Sequence, residues 1–305
     1  MYDVIIIGGG PAGLAAAVYC LRKRLETLII APELGGKANY RMHLAGLEGF
    51  EHITGEEIVR KFRSQLQYLE FARIRDMVAK IEPQQTEFGE NFFVVTESGN
   101  AFCANAIIVA TGVEPIRLQV PDEALMFGRG LSYSAVSHAM LFWERETAVV
   151  GSGDIALRAA AELATVASRV VLIAPEGAPD TPLRRKIERL NRVTILENHC
   201  VIKIHANGYV HAITVRDPEG AEQEIAVTGV FVELGLVPNS ELVTDLVELS
   251  DDGFVKVDDR CRTSRPGVFA AGDITDSFNE QVLIATGEGA KAALAAYDYL
   301  LEIDA

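Results

Sequence analysis

Val4-Ile5-Ile6-Ile7-Gly8-Gly9-Gly10-Pro11-Ala12-Gly13-Leu14-Ala15-Ala16-Ala17 is the segment from which the architecture can be read. Four β-branched apolar residues predict a short buried strand, and the alanine-rich run beyond the glycines predicts a helix. The glycines between them have the spacing of a GxGxxG fingerprint in strand-to-helix context. The first glycine permits a tight turn, the second lets backbone approach a pyrophosphate, and the third allows close helix packing. Amides at the helix N-terminus then hold the anion. The pattern predicts a dinucleotide site.

It returns at Ala148-Val149-Val150, Gly151-Ser152-Gly153-Asp154-Ile155-Ala156 and a following helix, with Val170-Val171-Leu172-Ile173 as the next strand. Two such units predict two nucleotide-sized sites, the second resting on Gly151, Gly153, Asp154 and Ile155. Ile107 to Gly112 before Glu114-Pro115, and Gly229 to Gly235 before Val237-Pro238, predict two chain crossings between an outer and an inserted domain. A last strand, Gly267-Val268-Phe269-Ala270-Ala271-Gly272-Asp273, precedes Glu280-Gln281 and a small-residue helix from Ile284 to Leu301. Asp273, directly after a strand and a glycine, suits either a sugar or polyol hydroxyl or a turn.

At 305 residues the chain is long enough for two domains. Its net charge of -15 argues against nucleic-acid and anionic-membrane partners. Cys20, Cys103, Cys200 and Cys261 are scattered, and buried reduced thiols are expected rather than a disulfide framework. The uncharged stretch Val4 to Leu21 is broken by Gly8-Gly9-Gly10-Pro11, so strand, turn and helix are expected there, not a membrane span. No basic segment precedes it, and the default expectation is a cytoplasmic protein. His43, His199 and His205 lack ligand spacing, so no metal site is expected.

Gly8 to Gly13, Gly35-Gly36, Ala110-Thr111-Gly112, Gly151 to Ala156, Gly267 to Asp273 and Gln281 occur in the order of the low-molecular-weight thioredoxin reductases, which the chain resembles over nearly its whole length. The resemblance implies an α/β fold of two Rossmann-like three-layer domains, the second inserted into the first. Residues 1–114 and 240–305 would bind FAD, and residues 115–239 would form an inserted domain of NAD(P) type. It implies a homodimer acting on a small redox protein or disulfide-bearing substrate. FAD contacts carry over to Gly8, Gly10, Pro11, Ala12, Gly13, Gly35, Gly36, Thr111, Gly112, Asp273 and Gln281, with Asp273 on the ribityl chain.

The departures fall in function-bearing places. Ala31 stands where the family has an acid for the adenosine ribose, with Glu33 the expected substitute. Gly-Gly-Gln becomes Gly35-Gly36-Lys37, and the Arg before the late Gln becomes Glu280, which changes the electrostatics around the cofactor. The arginines that pair with the 2′-phosphate of NADPH are replaced by Ala174-Pro175-Glu176-Gly177-Ala178-Pro179-Asp180, two carboxylates where a dianion would lie. Arg184, Arg185 and Lys186 are expected on the exposed face of the next helix. NADPH is therefore not expected; a second FAD, or else NADH, is expected at the second turn, and the second FAD resembles the pyridine-nucleotide-independent branches of the family, of which the diflavin-linked kind is the nearest.

Ser134-Ala135-Val136-Ser137 occupies the place of the family's redox Cys-x-x-Cys. A hydroxyl can neither store electrons reversibly nor leave in disulfide exchange, so the dithiol step is expected to be inactive. A natural loss, with Ser134 capping a helix, and an engineered sulfur-to-oxygen swap fit equally. His138 stands where the family has an acid-base aspartate; an imidazole can do that work, and an exposed histidine without a role is the plainer reading. The leading expectation is an FAD-dependent disulfide oxidoreductase with its relay replaced at Ser134 and Ser137. The alternatives are a ferredoxin or flavodoxin NADP reductase of thioredoxin-reductase type, and a non-catalytic flavin-binding sensor or scaffold.

Overall fold

A computed structural model describes residues 1–44, 55–69, 71–86, 89–277 and 280–303. The chain divides into two compact units, one comprising Met1–Tyr40, His52–Glu114 and Pro238–Ala305, the other Arg41–Glu51 and Pro115–Val237. The crossings Val113–Pro115 and Leu236–Pro238 pair as a two-stranded ribbon.

In the first unit the strand Tyr2–Ile7 lies in a seven-stranded sheet, between Thr27–Ile30 and Ala101–Val109. Both neighbours run parallel to it, Ile6 facing Ile29 on one side and Ile108 on the other. Val4, Ile5 and Ile6 are fully buried, as a strand covered on both faces requires. Each such side chain contributes about 2 kcal/mol of transfer free energy. Val268–Ala270 pairs with Ala101–Val109 from the other side. The helix Pro11–Arg22 crosses the long C-terminal helix Val282–Ile303 where both are small: a Cβ on Gly289 would lie 2.0 Å from the carbonyl oxygen of Ala12. That approach explains the small-residue composition of the last helix.

The second unit repeats the plan. Its five parallel strands run Val193–Glu197, Arg169–Ala174, Glu146–Val150, Gly229–Val232 and Leu131–Ser132 across the sheet. A three-stranded antiparallel sheet, Cys200–Ala206, Val210–Arg216 and Glu222–Ala226, follows.

Asn239 is joined to the first unit, its N–H donating to the Gly112 carbonyl at 3.0 Å and its Nδ2 to the Thr111 carbonyl at 3.0 Å. In the second, Leu44 is buried among Ala135, Phe142 and Leu157, and the His43 N–H donates to the Gly128 carbonyl at 2.7 Å. One correction concerns the cysteines expected to be buried: Cys20 and Cys261 are buried, Cys103 is half-buried and Cys200 is exposed, at the outward-facing start of its strand. Burial pushes the Cys20 thiol up to about 12 and that of Cys261 to about 11.

Candidate functional site

The first turn is closed by backbone on two sides. A Cβ on Gly8, which sits at φ +115°, would lie 2.1 Å from the Ala110 carbonyl oxygen, and one on Gly13 would lie 2.1 Å from that of Gly8. Gly10 is different. Its φ of -70° is open to any residue, and a Cβ there would meet nothing within 4 Å. Nothing in the fold demands glycine at position 10, so the space above it is what the glycine keeps clear. Pro11 then opens the helix with no amide to leave orphaned.

A second glycine pair is brought onto this turn. Gly35, at φ +111°, donates its N–H to the Gly9 carbonyl at 2.7 Å, and a Cβ on Gly36 would lie 3.2 Å from the Gly10 Cα. Glu33 is exposed just before them. Lys37 Nζ lies 2.8 Å from Asp273 Oδ2 and 2.8 Å from Glu280 Oε2. Burial alone would lower the lysine's pKa, but the two carboxylates outweigh it and hold it above the ordinary value. The two departures at 37 and 280 are therefore one charge exchange, joined 243 residues apart in sequence. Gln281 Nε2 is buried with no hydrogen-bond partner among the described residues, a donor kept for a ligand.

Thr111 is held by the chain itself, its hydroxyl donating to the Asn239 carbonyl at 2.8 Å. Its cofactor contact would therefore have to come from elsewhere than that proton. Two residues that sequence reasoning missed also shape this site. Asn239 locks Thr111-Gly112, and Glu288 Oε2 accepts the Gly272 N–H at 2.8 Å, fixing the turn that carries Asp273. Glu288 gave a signal, an acid between Gly287 and Gly289 on an otherwise small-residue helix.

The second turn has the same build. A Cβ on Gly151 would lie 2.2 Å from the Glu233 carbonyl oxygen, whereas Gly153, at φ -95°, faces open space. Asp154 and Ile155 are exposed in the first turn of the helix Asp154–Val166, and buried Ala156 stands where the first turn has Gly13. The Glu176 N–H donates to Ser152 Oγ at 2.9 Å, which places Glu176 beside the turn. Here the structure corrects one expectation: Arg184 is not on an exposed helix face. Its guanidinium reaches back to the Ala178 carbonyl and forks onto Glu197 at 3.0 Å through each terminal nitrogen, while Nε meets Glu188 at 2.8 Å. Those carboxylates raise the arginine's pKa. Arg185 pairs with Asp180 at 2.7 Å.

In the same unit Ser134 caps the short helix Ala135–His138, its Oγ accepting from the Ser137 N–H and donating to Ser137 Oγ at 3.0 Å. Buried Ser132 anchors His138, with 2.8 Å between Oγ and Nδ1. One arrangement satisfies every partner of Ser132: the hydroxyl donates to the Ser134 carbonyl and accepts from the Ser134 N–H and from Nδ1–H. Glu233, also missed from sequence, ties this segment to the second turn, because its Oε1 accepts the Ala135 N–H at 2.8 Å while its own backbone walls Gly151.

Two dinucleotide-type turns of this build lie in one α/β chain, the layout of a two-nucleotide oxidoreductase fold. The pattern of the pyridine nucleotide-disulphide oxidoreductase family matches residues 2–292, and the chain belongs to that family. The fold is that of the thioredoxin reductases: the enzyme from Streptococcus pyogenes superposes with a TM-score of 0.89 at 32% identity, over 99% of each chain. The chain is also 34% identical over 307 residues to the F component of the alkyl hydroperoxide reductase of Staphylococcus aureus, covering 98% of this chain and 59% of that protein. An NADH dehydrogenase of Bacillus subtilis is 33% identical over 303 residues with the same coverage. The chain thus spans 59% of the length of these two relatives.

Proposed function

We propose that this chain is an FAD-dependent oxidoreductase of thioredoxin reductase type that is not driven by NADPH and whose disulfide step is silenced by serine at 134 and 137. The observation that carries the flavin reading is Gly10, a glycine the fold does not need, with the orphaned Gln281 Nε2 as its companion. When bound, FAD supplies two-electron chemistry that no side chain offers. The turn Gly8, Gly10, Pro11, Ala12 and Gly13 would hold the pyrophosphate through its backbone amides, Pro11 opening the helix without one, while Glu33 would meet the adenosine ribose and Asp273 the ribityl chain. Gly35, Gly36, Thr111 and Gly112 border the cofactor, and Lys37, Glu280 and Gln281 set the charge near its ring.

The second turn, with Gly151, Gly153, Asp154 and Ile155, takes a dinucleotide whose adenosine ribose is unphosphorylated, NADH or a second FAD. Support comes from Glu176 beside the turn and from Arg184, whose charge is spent on Glu197 and Glu188 rather than on a phosphate. The name of the B. subtilis relative agrees with NADH. Ser134 and Ser137 have the spacing of a dithiol in one helical turn, and the His138 imidazole is the group that would move a proton there once sulfur is restored. A homodimer and a small redox partner complete the proposal.

The test is an anaerobic titration with NADPH, then NADH, then dithionite, following the flavin's visible absorption. Dithionite alone should bleach at once; rapid bleaching by NADPH would sink the reading. Bleaching by NADH would assign the second turn to it, whereas two FAD per chain would assign a second flavin. Ser134→Cys with Ser137→Cys should restore flavin-coupled disulfide reduction, and failure to do so would remove the silenced relay.

A further inference from the structure

Beside the end of the strand Thr27–Ile30, wholly within the first unit, lies a cavity of about 390 Å³ lined by Glu33, Leu34, Phe71, Arg63, Arg73 and Arg75 among others. No residue of the turn Gly8–Gly13 lines it, so it is separate from the pyrophosphate cradle. Three guanidinium groups face one carboxylate in a protein of net charge -15. Their acceptors are uncharged: Arg63 donates to Asn39 Oδ1 at 3.3 Å, and Arg73 and Arg75 donate to the Pro32 carbonyl at 3.4 and 3.1 Å. Among the described residues, the Nε atoms of Arg63 and Arg73 are buried with no partner at all. Burial, with Arg75 and Arg63 close by, lowers the pKa of Arg73.

Unpaired buried donors on clustered like charges are costly unless an anion joins them. A carboxylate occupies one fork, but a phosphate dianion offers three oxygens and two charges to three guanidiniums. Phe71 and Leu34 give an apolar wall for whatever carries the phosphate. We propose that Arg63, Arg73 and Arg75 form a binding site for a phosphate monoester beside the adenosine end of the first nucleotide site. Such a phosphate comes either from a separate small molecule or from the ribose of a nucleotide in the first site.

The test is a phosphorus NMR titration of the flavin-loaded full chain with inorganic phosphate at constant ionic strength. One phosphate per chain should bind saturably, about tenfold or more weaker in Arg73→Gln and less weakened in Arg73→Lys, with flavin content unchanged. Arg63→Gln, at a helical position in Gly55–Tyr68, is the independent variant should Arg73→Gln lose its fold by circular dichroism. Absence of saturable binding, or an affinity in the variants equal to the parent's, would overturn the site. Adding 2′-AMP separates the sources. Release of phosphate together with FAD assigns the phosphate to a nucleotide ribose, release of phosphate alone assigns it to a separate ligand, and no release overturns the monoester. A flavin-free chain that still binds phosphate would break the flavin reading and leave this site standing.

Discussion

The two glycine turns share a backbone and differ in what surrounds it. In each, the first glycine is forced by a carbonyl about 2 Å from where its Cβ would be, Ala110 for Gly8 and Glu233 for Gly151, and the middle glycine faces open space. The third position separates them. Gly13 has no room for a methyl group, whereas the second helix stands far enough off to hold Ala156, fully buried. The charges nearby also differ in how they are partnered: Arg63, Arg73 and Arg75 line one cavity with Glu33 near the first turn, whereas near the second Glu197 and Asp180 are paired with Arg184 and Arg185. The two turns thus share their backbone build and differ in the residues packed around it.

The largest contrast between the turns should come from the third position. Gly13→Ala drives a methyl group into the Gly8 carbonyl and should cost about 3 kcal/mol or more in urea unfolding, whereas Ala156→Gly should cost about 1 kcal/mol. An equal cost at both sites would mean that the two turns are packed alike. Next come the open positions, where binding and stability separate. Gly10→Leu should abolish bound FAD with little change in the apoprotein's melting temperature, while Gly153→Leu should leave the first flavin in place and remove only the second nucleotide, read by flavin absorbance and nucleotide stoichiometry.

The charge pair probes the first side alone. Lys37→Gln leaves Asp273 and Glu280 facing each other and should weaken FAD about tenfold, with Lys37→Gln plus Glu280→Gln recovering part of the loss. The lysine's pKa is raised on folding, so the pair's stabilisation is complete below the ordinary value of 10.5 and fades as pH rises through the higher folded value. Unfolding followed upward from about pH 9 should show that loss in the parent and not in the double variant. The smallest effect concerns the thiols. Only Cys200 should react quickly with a thiol reagent at neutral pH in the native protein, because burial keeps Cys20 and Cys261 protonated; a second fast thiol would place Cys103 nearer the surface than its half-buried strand position allows.

Both turns and the fold class were legible because each rests on local signals, an apolar run, glycines at fixed spacing and an alanine-rich helix. The substitutions at 37 and 280 were legible one at a time but not as a pair, since 243 residues separate them. Arg184 was misplaced for a similar reason: helical spacing puts it on a face, and only the end of the neighbouring strand at Glu197 shows where its fork is held. The arginine cavity gave no signal, because Arg63 lies on a helix and Arg73 and Arg75 at a strand end, each ordinary when read alone.

From the sequence alone come the two glycine turns, the serines at 134 and 137 and the carboxylates Glu176 and Asp180 after the strand Arg169–Ala174. These are matters of residue type at short range, where propensity and spacing act directly. Folding in three dimensions settled which glycines the backbone itself requires and which charges are spent on each other. It also brings Leu44 among Ala135, Phe142 and Leu157, and Asn239 onto Thr111-Gly112. Such facts depend on atoms brought within a few ångströms by distant segments, and electrostatics and packing at that range have no counterpart in linear order.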